Sequence, residues 1–170
     1  MGRTVIVTGT GNNGSQPWHA GGILQQGKTE EIQLAVGAFE PTLNVQLWKD
    51  YEDEMEIYLE SPSGERIGPL YERLGPQRHL LENTELLIYY GKPGPYQLSQ
   101  EIYIDFLPGK TYVDSGDWKI ILSGKRVRGG EYYLWLPGGN TLNRGTGFYE
   151  PRAYGTLTIP ATARRVITVG

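Results

Sequence analysis

Gly9, Gly11 and Gly14 close a β-branched run, Thr4-Val5-Ile6-Val7-Thr8, with the spacing Gly-x-Gly-x-x-Gly. That spacing can cradle a pyrophosphate. The chemistry requires a helix springing from the glycines, whose free N–H groups and dipole hold the anion, and an acidic residue about 20 positions on. The strand is present and the helix is not. Ser15-Gln16-Pro17-Trp18-His19-Ala20-Gly21-Gly22 carries a proline and two adjacent glycines, all poor in a helix interior. The segment therefore reads as a tight turn after a strand, with or without chemistry of its own.

Other reactive side chains are few. There is no cysteine, so thiolate chemistry and disulfides are excluded and the redox compartment stays open. Zinc needs three or four ligands, and His19 and His79 are distant in sequence. Each reads as a surface or junction histidine; no metal or cofactor is expected. The run Asp50, Glu52, Asp53, Glu54, Glu56 lacks the spacing of a calcium loop and reads as solvated strand-end charge. Lys125, Arg126 and Arg128 beside Gly129-Gly130 read as a solvated hairpin tip. A net charge of −3 with no basic stripe argues against a nucleic-acid partner. Trp48, Trp118, Trp135 and the tyrosines offer flat rings for stacking on a ligand. Trp118 shares a face with Ile120 and reads as core, whereas Tyr133 and Trp135 lie opposite Leu134 and form the candidate binding face.

The elements that must position these groups are strands. Gly (24) and Pro (11) are abundant and Tyr (12) far outnumbers Phe (3), which favours many turns and amphipathic aromatic strands. Period-two alternation recurs in Ile32/Leu34/Val36, Leu43/Val45/Leu47, Met55/Ile57/Leu59 and Leu86/Ile88/Tyr90. It continues in Ile102/Ile104/Phe106, Trp118/Ile120/Leu122 and Tyr132/Leu134/Leu136. Each run sets one face on a core and the other in water. Turn sequences separate them, among them Ser61-Pro62-Ser63-Gly64, Gly91-Lys92-Pro93-Gly94-Pro95 and Pro137-Gly138-Gly139-Asn140. Seven or eight strands predict an all-β Greek-key or jelly-roll β-sandwich. No apolar run is long enough to span a bilayer and no secretory signal is visible.

The two ends differ from the middle. Val5-Ile6-Val7 and Val166-Ile167-Thr168-Val169 are β-branched without alternation, as in strands covered on both faces of an α/β sheet. The pattern predicts a sandwich inserted into an α/β domain, with flanking segments at 1–18 and 155–170 and the sandwich at 19–154.

The segment Val5–Gly14 resembles the part of subtilisin-like serine proteases that ends in Gly-Asn-x-Gly. Leu157-Thr158-Ile159-Pro160-Ala161-Thr162-Ala163-Arg164-Arg165-Val166-Ile167-Thr168-Val169-Gly170 resembles that family's later Pro-Ala-x-x-x-x-Val-Ile-x-Val-Gly strand. In the family these segments are neighbouring parallel strands joined by a short connection. The two cover about a sixth of the chain. Among subtilases with a sandwich inserted here are the Csp-type proteases of spore germination, whose jelly roll the middle of the chain resembles. Ser61–Gly64, Gly116–Ile120 and the Gly124–Tyr133 segment are also loosely similar to proprotein-convertase jelly rolls.

The resemblance implies that Asn12 matches the asparagine whose side-chain amide donates to the oxyanion. It implies a parent serine endopeptidase or pseudoprotease, with the remainder of the protease domain as partner. It also suggests a spore or cytoplasm-derived compartment. The family's catalytic aspartate and histidine lie upstream of this point and its Gly-Thr-Ser downstream. Here Gly9-Thr10, Gly145-Thr146 and Gly155-Thr156 are followed by glycine, glycine and leucine. The expected role is therefore a non-catalytic insertion that braces the protease or docks a partner protein. A free-standing glycan-binding sandwich and an oligomerising structural jelly roll are the alternatives.

Overall fold

Alternating sequences become strands because period-two burial lets each remove one row of apolar side chains from water. The computed structural model describes residues 5–9, 14, 16–92, 94–95, 98–138, 141–154 and 167–169. In chain order its strands are β1 (Val7–Gly9), β2 (His19–Ile23), β3 (Thr29–Val36), β4 (Leu43–Asp50), β5 (Glu54–Glu60), β6 (Arg66–Ile67) and β7 (Gln77–Leu81). Then come β8 (Thr84–Tyr90), β9 (Ser99–Pro108), β10 (Gly116–Arg126), β11 (Glu131–Trp135), β12 (Gly147–Phe148) and β13 (Ile167–Val169).

Two antiparallel sheets face each other, ordered β12-β3-β10-β5-β6 and β2-β11-β4-β9-β8-β7. The pairs β2–β11, β3–β10 and β4–β9 nest one inside the next, and this winding is that of a jelly roll. All seven alternating runs place their apolar members in the core; Leu34, Val45, Ile57, Ile88, Ile104, Ile120 and Leu134 are fully buried. Phe106 from one sheet meets Trp118 from the other edge-to-face, 5.1 Å between ring centres.

The sandwich holds eleven strands among the described residues, more than the expected seven or eight. The additional ones carry weak signals. β2 contains Gly21 and Gly22, which lower strand propensity. They are needed there: a β-carbon on Gly22 would fall 2.5 Å from the Tyr132 hydroxyl, because that ring lies across the strand. β6 and β12 have two residues each, and β7 places His79 in a strand rather than a loop.

β1 and β13 pair in parallel, Val7 with Ile167, Thr8 with Thr168 and Gly9 with Val169. The side-by-side arrangement expected of the two ends is present. In this chain neither strand is covered: Val5, Val7 and Ile167 are all more than half exposed. No helix among the described residues is long and apolar enough to cross a membrane.

Candidate functional site

The chain enters and leaves the sandwich at one corner. Backbone hydrogen bonds there join the incoming and outgoing segments directly. The Phe148 N–H donates to the Pro17 carbonyl at 2.8 Å, and the Arg152 N–H donates to the His19 carbonyl at 2.8 Å. The Leu136 N–H donates to the Trp18 carbonyl at 2.8 Å, fixing the same corner to the end of β11. Gly147 lies close under the Pro17 ring, since a β-carbon would come within 2.7 Å of it. This corner is a neck that holds residues 17–19 beside residues 147–152.

His19 is the side chain at its centre. It is 2% exposed, and its Nδ1 lies 2.7 Å from the Arg152 carbonyl. A carbonyl only accepts, so Nδ1 carries the proton and the neutral ring presents Nε2 as an acceptor, which has no protein partner. Trp135 stacks on the imidazole at 3.9 Å and 28°, and Tyr133 lies further out at 5.9 Å and 14°. The predicted binding face thus brings Tyr133 and Trp135 together, and one face of Trp135 already covers His19. Trp48 stands beside Tyr133 on β4, and Tyr103 packs near Tyr89 two strands further on. His19 is a buried latch of the neck, where sequence reading allowed a surface or junction position.

Burial lowers the His19 pKa, outweighing the Arg152 carbonyl bond that raises it. The folded protein therefore binds this proton less readily than the unfolded chain. Stability from His19 is complete above about pH 6.5 and is lost as pH falls below that value. His79, also lowered mainly by burial, acts in the same direction. The expected outcome is a thermal midpoint that drops between pH 7.5 and 5.5, with a shallower drop in His19→Gln. Equal slopes in the two proteins would show that the latch does not titrate.

The opposite end of the sandwich is polar. Lys49 and Gln100 occupy inward register positions on β4 and β9, directly paired, and are 4% and 1% exposed. Lys49 Nζ donates to the Asp53 and Asp50 carbonyls at 2.7 and 3.2 Å, and Gln100 Nε2 donates to Glu72 Oε1 at 2.7 Å. Asp53 is 1% exposed and accepts from the backbone of Arg128 and Gly130 at 2.6 and 2.7 Å. This corrects the reading of solvated charge at Asp53; Glu52 and Glu54 are exposed, as that reading has them, and Asp50 and Glu56 are half-buried. The basic tip is exposed as expected, but its members pair with that acidic run: Lys125 with Glu56, Arg126 with Glu54, Arg128 with Glu52. The alternation rule places an acid outward by default. It carries no information about a loop 75 residues later that needs an acceptor.

Asn12 lies outside the described residues, as do residues 155–166. Among the described residues no group of three His, Asp or Glu could hold a metal ion. Among the described residues the neck is an anchoring corner, held by the three backbone hydrogen bonds and by the buried imidazole stacked on Trp135.

No protein-family model matches this chain, and no curated protein matches it. Among solved structures, the CspB protease of Clostridium perfringens superposes with a TM-score of 0.87 and 31% sequence identity. The match covers 98% of this chain and 34% of that one, so the chain spans about a third of the protease it resembles. It is a match to one domain of a Csp-type subtilase.

Proposed function

We propose, from that likeness, that the chain is the non-catalytic jelly-roll insertion of a subtilisin-like serine protease and braces the catalytic domain it interrupts. The observation that carries this reading is the neck. A body pinned at residues 17–19 and 147–152, with a parallel β1–β13 pair beyond it, has the form of an insertion between two adjacent strands. The bare apolar residues of that pair support it further. Val5, Ile6, Val7, Ile167 and Val169 are 54–66% exposed, whereas parallel strands are ordinarily covered on both faces. Closing a long insertion at its base costs little more loop entropy than closing a short one. In the assembled protease Asn12 supplies the side-chain amide to the oxyanion, and the nucleophile and its base come from segments outside this chain.

As a result, this chain alone should not cleave a generic peptide substrate at any concentration that remains soluble. Turnover abolished by a serine-protease inhibitor would overturn the reading. A glycan array and light scattering cover the alternatives: sugar binding lost on Trp135→Ala would favour a lectin, and a large assembly a structural jelly roll.

A further inference from the structure

Two non-glycine residues among those described adopt positive φ, Phe39 at +63° and Glu82 at +54°. Glu82 needs no special explanation, because the two-residue hairpin between β7 and β8 demands left-handed backbone. Phe39 lies in no hairpin of that kind. A bulky residue there is strained where glycine or asparagine would be comfortable. Its ring gains little in return, being 71% exposed and touching one other ring, Tyr112, edge-to-face at 5.4 Å.

The surrounding loops are nonetheless built to hold it. Asn143 Nδ2 donates to the Phe39 carbonyl at 2.6 Å and to the Ala38 carbonyl at 3.4 Å. Glu40, fully buried, accepts from the Asn143 N–H at 3.0 Å and the Thr146 hydroxyl at 2.6 Å, and its carbonyl accepts from the Val113 N–H at 2.9 Å. The Thr146 hydroxyl also accepts from the Gly37 N–H at 2.9 Å. Three loops, 37–42, 109–115 and 141–146, are laced together beneath two exposed rings. They stand at the neck end of the sandwich: Thr146 adjoins Gly147, on which Pro17 rests.

We propose that Phe39 and Tyr112 form a preset apolar wedge that docks into the subtilase domain continuing from the neck. This rests on the reading above that the chain interrupts such a domain. Strain and exposure are both unfavourable for the sandwich by itself, and both are offset if the ring is buried by the body to which the neck leads. The occupant follows from position. A chain that crosses the neck twice brings the rest of its own polypeptide to this end, at an effective concentration no free partner matches.

The test compares this chain with the longer polypeptide that contains it. In the chain alone, Phe39→Gly should raise the thermal midpoint by about 2–4 °C, by relieving the left-handed strain while removing an exposed ring. Phe39→Ala, which keeps the strain, should change it little. In the longer protein both variants should lower the midpoint of the sandwich. The amides of 37–41 and 110–114 should exchange more slowly there than in the chain alone, and that protection should vanish in both variants. Equal exchange in the two wild-type proteins, or variants that shift both proteins alike, would overturn the wedge while leaving the insertion reading intact. A dimer of the chain alone that dissociates on Phe39→Gly would assign the rings to a second copy and overturn it also. A longer polypeptide without subtilase segments on both sides would remove the reading and the wedge together, and its sequence shows this before any variant is measured.

Discussion

Replacing Asp53 by alanine lowers the thermal midpoint of this chain by on the order of 10 °C. The side chain is small, but the turn before β11 is built on it. Its carboxylate accepts from the N–H groups of Arg128 and Gly130 and, at 3.4 Å, of Gly129, so one residue between β4 and β5 shapes the whole turn before β11. Gly130 sits there at φ +75°, under the Leu24 carbonyl, with no room for a β-carbon. Its charge also acts on buried Lys49, whose Nζ donates to the Asp53 main-chain carbonyl. Burial pulls the Lys49 pKa down, and the charges of Glu72, Asp53, Asp50 and Glu54 oppose that pull. Alanine leaves the buried Gly130 N–H and the part-buried N–H groups of Arg128 and Gly129 without their acceptor and removes one of those opposing charges. Each donor left without its acceptor costs about 1–3 kcal/mol. A domain of this size loses roughly 2–4 °C per kcal/mol. Asp53→Asn keeps the shape and one acceptor and should lose less. The flanking ion pairs make the contrast. Arg128→Ala breaks only the exposed pair with Glu52, worth under about 1 kcal/mol. If circular dichroism placed Asp53→Ala within 2 °C of wild type, the carboxylate would not be holding the turn.

Asp53 also marks where the sequence stops being legible. Alternation identifies which residues of β3, β4, β5, β8, β9, β10 and β11 face inward, because that choice is local: one row enters the core and the next enters water. It even places Lys49 and Gln100 inward, by simple counting from Leu47 and Ile102. It cannot show that a lysine in the inward register is tolerated because two carbonyls turn toward it. It cannot show that Asp53 is wanted by Gly130. Both depend on contacts closed by the fold, not by neighbours in sequence.

The neck divides in the same way. Unbroken β-branched runs mark the two ends as foreign to the sandwich, and the resemblance to neighbouring subtilase strands implies that β1 and β13 lie together. His19 gives no such signal: its partners, Arg152 and Trp135, arrive from more than a hundred residues away. β2, the strand that carries it, is disguised by the two glycines that admit Tyr132. The strain at Phe39 is equally invisible, since Gly37-Ala38-Phe39-Glu40-Pro41 reads as an ordinary turn until the backbone angle is known.

Trp118 tests the part that is legible. Its position beside Ile120 in an alternating run predicts a core residue, and it is 1% exposed. Trp118→Ala should cost about 3–5 kcal/mol, again on the order of 10 °C, since it opens a cavity where the two sheets meet at Phe106. Trp118→Phe separates packing from hydrogen bonding. It keeps a ring against Phe106 but deletes the indole N–H that donates to the Asp114 carbonyl at 2.8 Å, so about 1–2 kcal/mol is expected. Asp114 in turn accepts from the Asn83 N–H and the Thr84 hydroxyl, both at 2.8 Å, which ties the 109–115 loop to the β7–β8 hairpin. The phenylalanine variant should therefore do more than soften the core. It should loosen the loop that carries Tyr112 and speed exchange at Val113, whose N–H donates to Glu40. If Trp118→Phe proved as damaging as Trp118→Ala, the indole hydrogen bond would matter more than the volume it accompanies. If Val113 exchanged unchanged, the loop beneath the exposed rings would be held by Glu40 and by the Asp114 contacts with the hairpin, without help from the indole.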